Sequence, residues 1–121
     1  MSHPFRDAVE ARDLQAMEAV LHPDVVFRSP VVFKPYEGRE AVMMLLGHIV
    51  EVLEDFRYIH ELAGDGVHGL VFEARTGDRT LQGWDLLEVD ADNRVVGLTV
   101  MIRPLSGLIA VAEAMGARLA A

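Results

Sequence analysis

Between residues 56 and 103 the chain alternates extended, β-branched and aromatic stretches with very short polar breaks. Phe56 to Ala63, Val67 to Arg75, Thr80 to Val89 and Val95 to Arg103 are separated by breaks centred on Gly64-Asp65-Gly66, Thr76-Gly77-Asp78 and Asp90-Ala91-Asp92-Asn93. Breaks of that length and composition join strands as antiparallel hairpins, since a parallel pair needs a crossover of a dozen or more residues. Residues 56–103 of the 121-residue chain are thereby committed to a four-stranded antiparallel run, and the remainder has to cover it.

The covering elements are helical. Val42, Leu45, Leu46, Ile49 and Leu53 fall at i, i+3, i+4, i+7 and i+11, one apolar stripe on a helix predicted from Arg39 to about Leu53. Phe5, Val9, Leu14, Met17, Val20 and Leu21 predict two short helices broken near Arg12-Asp13, where Asp13 is suited to cap the second. His22-Pro23-Asp24 then punctuates the chain, and Val25 to Ser29 reads as a short strand. Pro30 to Gly38 reads as an ordered loop. Leu108, Val111, Ala112, Met115 and Leu119 predict a terminal helix over Ser106 to Leu119, lying on the sheet. Helices followed by an antiparallel run give an α+β class, with residues 1–121 as one domain.

Composition narrows the chemistry. Nineteen acidic residues against eleven basic ones leave a net charge of −8, which opposes phosphate backbones and anionic lipid, so no nucleic acid or membrane partner is expected. No apolar run approaches the roughly 18 residues of a membrane span, the first residues lack a signal-peptide hydrophobic region, and a cytoplasmic location is expected. Zero cysteine removes disulfides, thiolate nucleophiles and thiolate metal sites. The histidines show no close ligand spacing, so no metal is expected.

Asp85 is the anomalous residue. The period of two places Leu81, Gly83, Asp85, Leu87 and Val89 on one strand face, and every other member of that face is apolar. On a concave, covered face desolvation raises the pKa of such a carboxyl and makes it an acid or hydrogen-bond donor near neutral pH. The alternative is a solvated carboxylate, or one tied to a backbone amide or basic side chain. His60, sharing a predicted face with Phe56, Tyr58 and Leu62, is either an acid or base entering the cavity or a structural histidine. Tyr36 either closes the cavity with its phenol or packs under its loop. Arg28 should face away and form a surface ion pair. On the opposite face Gln82, Trp84, Leu86 and Glu88, with Thr99 and Met101, are apolar enough to suggest a homodimer interface.

The order of elements, with Asp13-Leu14, Leu21-His22-Pro23-Asp24-Val25-Val26-Phe27, Tyr36-Glu37-Gly38-Arg39-Glu40-Ala41-Val42 and Asp92-Asn93-Arg94-Val95, resembles the nuclear transport factor 2-like superfamily, in its SnoaL-like, ketosteroid-isomerase-like branch. That resemblance implies a cone-shaped curved antiparallel sheet packed on helices, with an apolar cavity for a small apolar, polyketide-like or steroid-like molecule and no cofactor. The candidate lining residues of such a cavity are Phe27, Ser29, Tyr36, Leu46, Phe72, Leu98 and Val100, and the candidate catalytic residues, from their places on the strand faces, are Asp85 and His60. Against ketosteroid isomerases, Asp85 falls on the aspartate kept protonated to donate to the substrate oxygen. Ser29 falls on the general base, and Phe5 on a tyrosine that supplies a second donor. Limonene-type epoxide hydrolases pair two aspartates through an arginine, whereas Gly83 flanks Asp85 and the last strand has no second carboxylate. The expectation is therefore a small-molecule-binding domain, acting as an isomerase, cyclase or lyase through Asp85 or as a binding or dimeric assembly module without turnover.

Overall fold

The computed structural model describes residues 2–120. In chain order the elements are α1 (Pro4–Glu10), α2 (Leu14–Val20), β1 (Leu21–Arg28), β2 (Tyr36–Glu37), α3 (Arg39–Val52), β3 (Glu54–Gly64), β4 (Val67–Thr76), β5 (Arg79–Val89), β6 (Val95–Arg103) and α4 (Leu105–Ala120). The helices pack against a six-stranded, curved sheet of order β2-β1-β6-β5-β4-β3. β3 to β6 form the antiparallel run, with the tight turns carrying left-handed residues where they reverse: Gly66, Gly77 and Asn93.

Two features depart from the predicted pattern. β1 begins at Leu21 rather than Val25 and lies parallel to β6, so the sheet is mixed where a wholly antiparallel one was expected. β2, α3 and strands β3 to β5 make up the long connection that a parallel pair requires. The ladder between β1 and β6 is irregular from Leu21 to Val26, the stretch holding Pro23, which has no amide proton to contribute. Tyr36-Glu37, expected inside a loop, pairs with Val26 and Phe27 as an edge strand.

Local chemistry fixes the helix ends. Asp13 accepts from the Ala16 amide at 3.1 Å and starts α2 directly after Arg12, whose positive φ of 55° makes the break. His3 caps α1: its Nδ1 accepts from the Phe5 amide at 3.0 Å while Nε2 lies 2.9 Å from the Asn93 carbonyl, which requires the proton on Nε2. Burial pushes the His3 pKa down, in keeping with that neutral tautomer. The His3 amide and the Arg6 guanidinium both donate to Glu61 at 3.0 Å, tying α1 to β3. The α3 stripe is buried as its spacing requires, with Val42, Leu45 and Leu46 in the core beside Phe5, Met17, Phe27, Leu70, Phe72 and Leu98.

Candidate functional site

The concave side of the sheet does not fill completely. A cavity of about 190 Å³ remains between sheet and helices. Phe5 and Val9 reach it from α1, Leu45, Leu46 and Ile49 from α3, and Phe27 from β1. Ser29 to Val32 follow on the loop after β1, and Tyr36 comes from β2. Phe56, Tyr58, Phe72, Asp85, Leu98, Val100 and Ile102 form the sheet wall. Met115, Gly116 and Leu119 add a wall from α4, which therefore bounds the cavity as well as covering the sheet.

Among the described residues Asp85 is the one lining residue with an acidic or basic side chain. It is 8% exposed, and its strand neighbours Leu81 and Leu87 are buried. The Tyr58 phenol donates to Asp85 Oδ2 at 2.7 Å, the only hydrogen bond to this carboxyl among the described residues. Burial pushes the carboxyl from its usual 3.8 up to about 7, against the opposing effect of the Tyr58 bond. Burial, followed by the Asp85 charge and the shared hydrogen bond, holds the Tyr58 phenol well above its usual 10, so it stays a donor. Tyr58 packs edge-on against Phe56, with ring centroids 4.8 Å apart, and the Arg6 guanidinium sits 5.7 Å from its ring centroid. An acid balanced near neutrality in an apolar chamber can donate to a ligand carbonyl when protonated and accept from a hydroxyl when ionised.

A family model for the SnoaL-like domain matches residues 3–98. The chain belongs to the SnoaL-like family. This SnoaL-like domain is 47% identical to a steroid delta-isomerase from Pseudomonas aeruginosa, with a TM-score of 0.91 over 96% of this chain and 86% of that one. It is 29% identical to an uncharacterized bacterial protein with a cystatin-like fold from Silicibacter pomeroyi, with a TM-score of 0.90 over 95% and 82% of the two chains. A SnoaL-like protein of unknown function from Burkholderia thailandensis, 20% identical over 84% and 90% of the chains, shares the fold at a TM-score of 0.68. No curated protein matches the sequence.

Of the residues singled out from the sequence, Phe27, Ser29, Tyr36, Leu46, Phe72, Asp85, Leu98 and Val100 all line the cavity of this SnoaL-like domain. His60 does not. Tyr58 pairs with Phe72 but His60 pairs with Val71, so a β-bulge inserts one residue and turns His60 out, exposed on the opposite face of the sheet. Arg28 faces outward and meets Glu88 at 3.5 Å. The Ser29 hydroxyl accepts from the Val31 amide at 3.0 Å, shaping the loop at the cavity. The Tyr36 ring lies tilted on Phe27, 6.3 Å between centroids.

Tyr58 was not selected as a functional residue by sequence reasoning. Its alternation with Phe56 puts it on the cavity face, and a tyrosine there needs a hydroxyl partner. The partner is two strands away, which no spacing in the sequence records. Among the described residues no group of side chains is arranged to hold a metal ion, and no helix is long and apolar enough to cross a membrane.

Proposed function

We propose that this SnoaL-like domain binds a small, largely apolar molecule through one oxygen, which meets the Asp85–Tyr58 pair inside the cavity. The observation that carries the reading is a single buried carboxyl, hydrogen-bonded to a phenol, in a chamber lined, Ser29 apart, by aliphatic and aromatic side chains. Placing a polar group there without a ligand-facing role costs desolvation energy that a leucine would avoid. A ketone accepting from protonated Asp85 offsets that cost, and the surrounding apolar surface supplies the rest of the affinity. The 47% identical steroid delta-isomerase supports a steroid-like ligand.

That relative also supports a second reading, isomerisation of such a ketone, with Asp85 holding the oxygen whose charge grows in the transition state. Against it stands Ser29, whose hydroxyl lies where the family resemblance puts the general base and is no base at neutral pH. Binding without fast turnover is the reading we favour. We also propose that the domain is a homodimer through the outer sheet face, where Trp84 is 38% and Met101 59% exposed.

The test is calorimetric titration with a ketone-bearing steroid at pH 6 and pH 8.5. Binding should be tighter at pH 6, where Asp85 is protonated, and should weaken sharply in Leu46→Trp, whose larger side chain intrudes into the cavity. Absence of binding by the wild type, or binding indifferent to Leu46→Trp, would overturn the reading. The absorbance of a conjugated enone formed from an unconjugated ketosteroid reports the isomerase alternative.

A further inference from the structure

Tyr58 and Asp85 share a hydrogen bond although their strands are not neighbours. β3 pairs with β4 and β4 with β5, so the phenol spans two strand spacings, roughly 9–10 Å, to reach the carboxyl. The residues in register with Tyr58 are Phe72 on β4 and, beyond it, Gly83 on β5. A phenylalanine standing upright on the intervening strand would obstruct the crossing.

Phe72 does not stand upright; its ring leans across its cross-strand partner. A Cβ built on Gly83 would lie 2.0 Å from Phe72 Cζ, 2.4 Å from Cε2 and 2.6 Å from Cε1, so the tip of the ring occupies the volume a side chain at position 83 would fill. On its other side Phe72 stacks on Phe56, with centroids 4.8 Å apart and ring planes 30° apart, and meets Tyr58 edge-on at 6.3 Å. The ring is fully buried, with Gly83 beneath it and Phe56 and Tyr58 beyond. A methyl group at position 83 therefore drives it toward the phenol.

We propose that Gly83 is a positioning residue for the Tyr58–Asp85 pair: by leaving the place of its own side chain to the Phe72 ring, it opens the path along which the Tyr58 phenol crosses β4 to the carboxyl. Gly83 has no left-handed φ, so the strand backbone accepts alanine there and the substitution tests space alone. The inference uses the binding reading only for its consequence, that displacing the pair weakens the grip on a ligand oxygen.

The experiment is NMR of the ligand-free protein, following the hydrogen-bonded Tyr58 phenol proton and the titration of the Asp85 carboxyl. Gly83→Ala should lose the bonded phenol resonance and move the Asp85 midpoint upward, because the Tyr58 bond is what lowers it. Phe72→Leu alone should keep the bond. Gly83→Ala/Phe72→Leu, with the ring gone, should restore both signals. A merely structural glycine would change stability without moving either signal. The proposal is overturned if folded Gly83→Ala keeps both signals, or if the double variant lacks a bond that Phe72→Leu retains. Should Gly83→Ala not fold, the comparison of the double variant with Phe72→Leu decides by itself. Failure of steroid binding in the wild type with these NMR outcomes intact would remove the binding reading and leave the role of Gly83 standing.

Discussion

Replacing Asp85 with asparagine should flatten one limb of the pH–stability profile. The carboxyl has a usual value of 3.8 and is pushed up to about 7 by burial in the fold. The native state thus holds a proton that the unfolded chain has already released between those two values. Stability from this group is fully present below about 3.8, declines as pH rises, and is lost once pH passes about 7. At about 1.4 kcal/mol per pH unit, the whole interval corresponds to about 4 kcal/mol, of which about 2 to 3 kcal/mol falls between pH 5 and pH 8. Asparagine has no such proton, keeps an oxygen for the Tyr58 phenol, and adds amide donors that stay partly unsatisfied, which limits its gain at high pH. Urea denaturation of wild type and Asp85→Asn across pH 5 to 8 measures the difference between the two profiles, in which contributions from His3 and the surface carboxylates cancel. The wild type should lose about 2 to 3 kcal/mol relative to the variant over that range. Parallel profiles would show that Asp85 titrates like an exposed carboxylate, and would refute both its desolvation and the donor role derived from it.

Trp84→Glu or Met101→Glu should halve the sedimenting mass, since a charge placed on each copy of an isologous face meets its own symmetry mate; an unchanged mass would exclude the outer face as the contact. His3 has the opposite pH signature to Asp85. Burial lowers its pKa, so its stabilisation is present above the usual 6.5 and is lost as pH falls below it. His3→Asn, which retains a helix-capping acceptor, should reduce the loss of stability on acidification from pH 6.5 to pH 5 in the same denaturation assay, and an unaltered acid limb would refute the neutral tautomer.

Local signals in the sequence located the helices and the β3–β6 run because these are bounded by residues with strong backbone preferences. Asp13 caps α2, Gly66, Gly77 and Asn93 make the left-handed turns, and the stripe from Val42 to Leu53 has one side to bury. What pairs at long range was harder to read. β1 contains a proline and a charged Asp24 at its exposed centre, so in the sequence only Val25 to Ser29 show strand character. Its extension to Leu21 and its parallel alignment depend on β6, seventy residues away, offering Val95 and Gly97 as partners. Propensity does not carry that information.

The same distinction governs the site. Asp85 stood out because a carboxyl on a face of Leu81, Gly83, Leu87 and Val89 breaks a period that two residues on either side establish, and β5 keeps that period from Leu81 to Glu88. His60 misled because the period it was assigned to does break: between Tyr58 and His60 the bulge shifts the register, and beyond it Glu61 rather than Leu62 faces α1, to bond His3 and Arg6. Leu62 is left exposed and Glu61 half-buried, an inversion that alternation alone would assign the other way. The bulge that removes His60 from the cavity also brings Glu61 to the amino-terminal helix, whose Arg6 lies over the Tyr58 ring and whose Phe5 and Val9 line the chamber. One inserted residue thus separates a strand half that builds the chamber from a half that holds its cover.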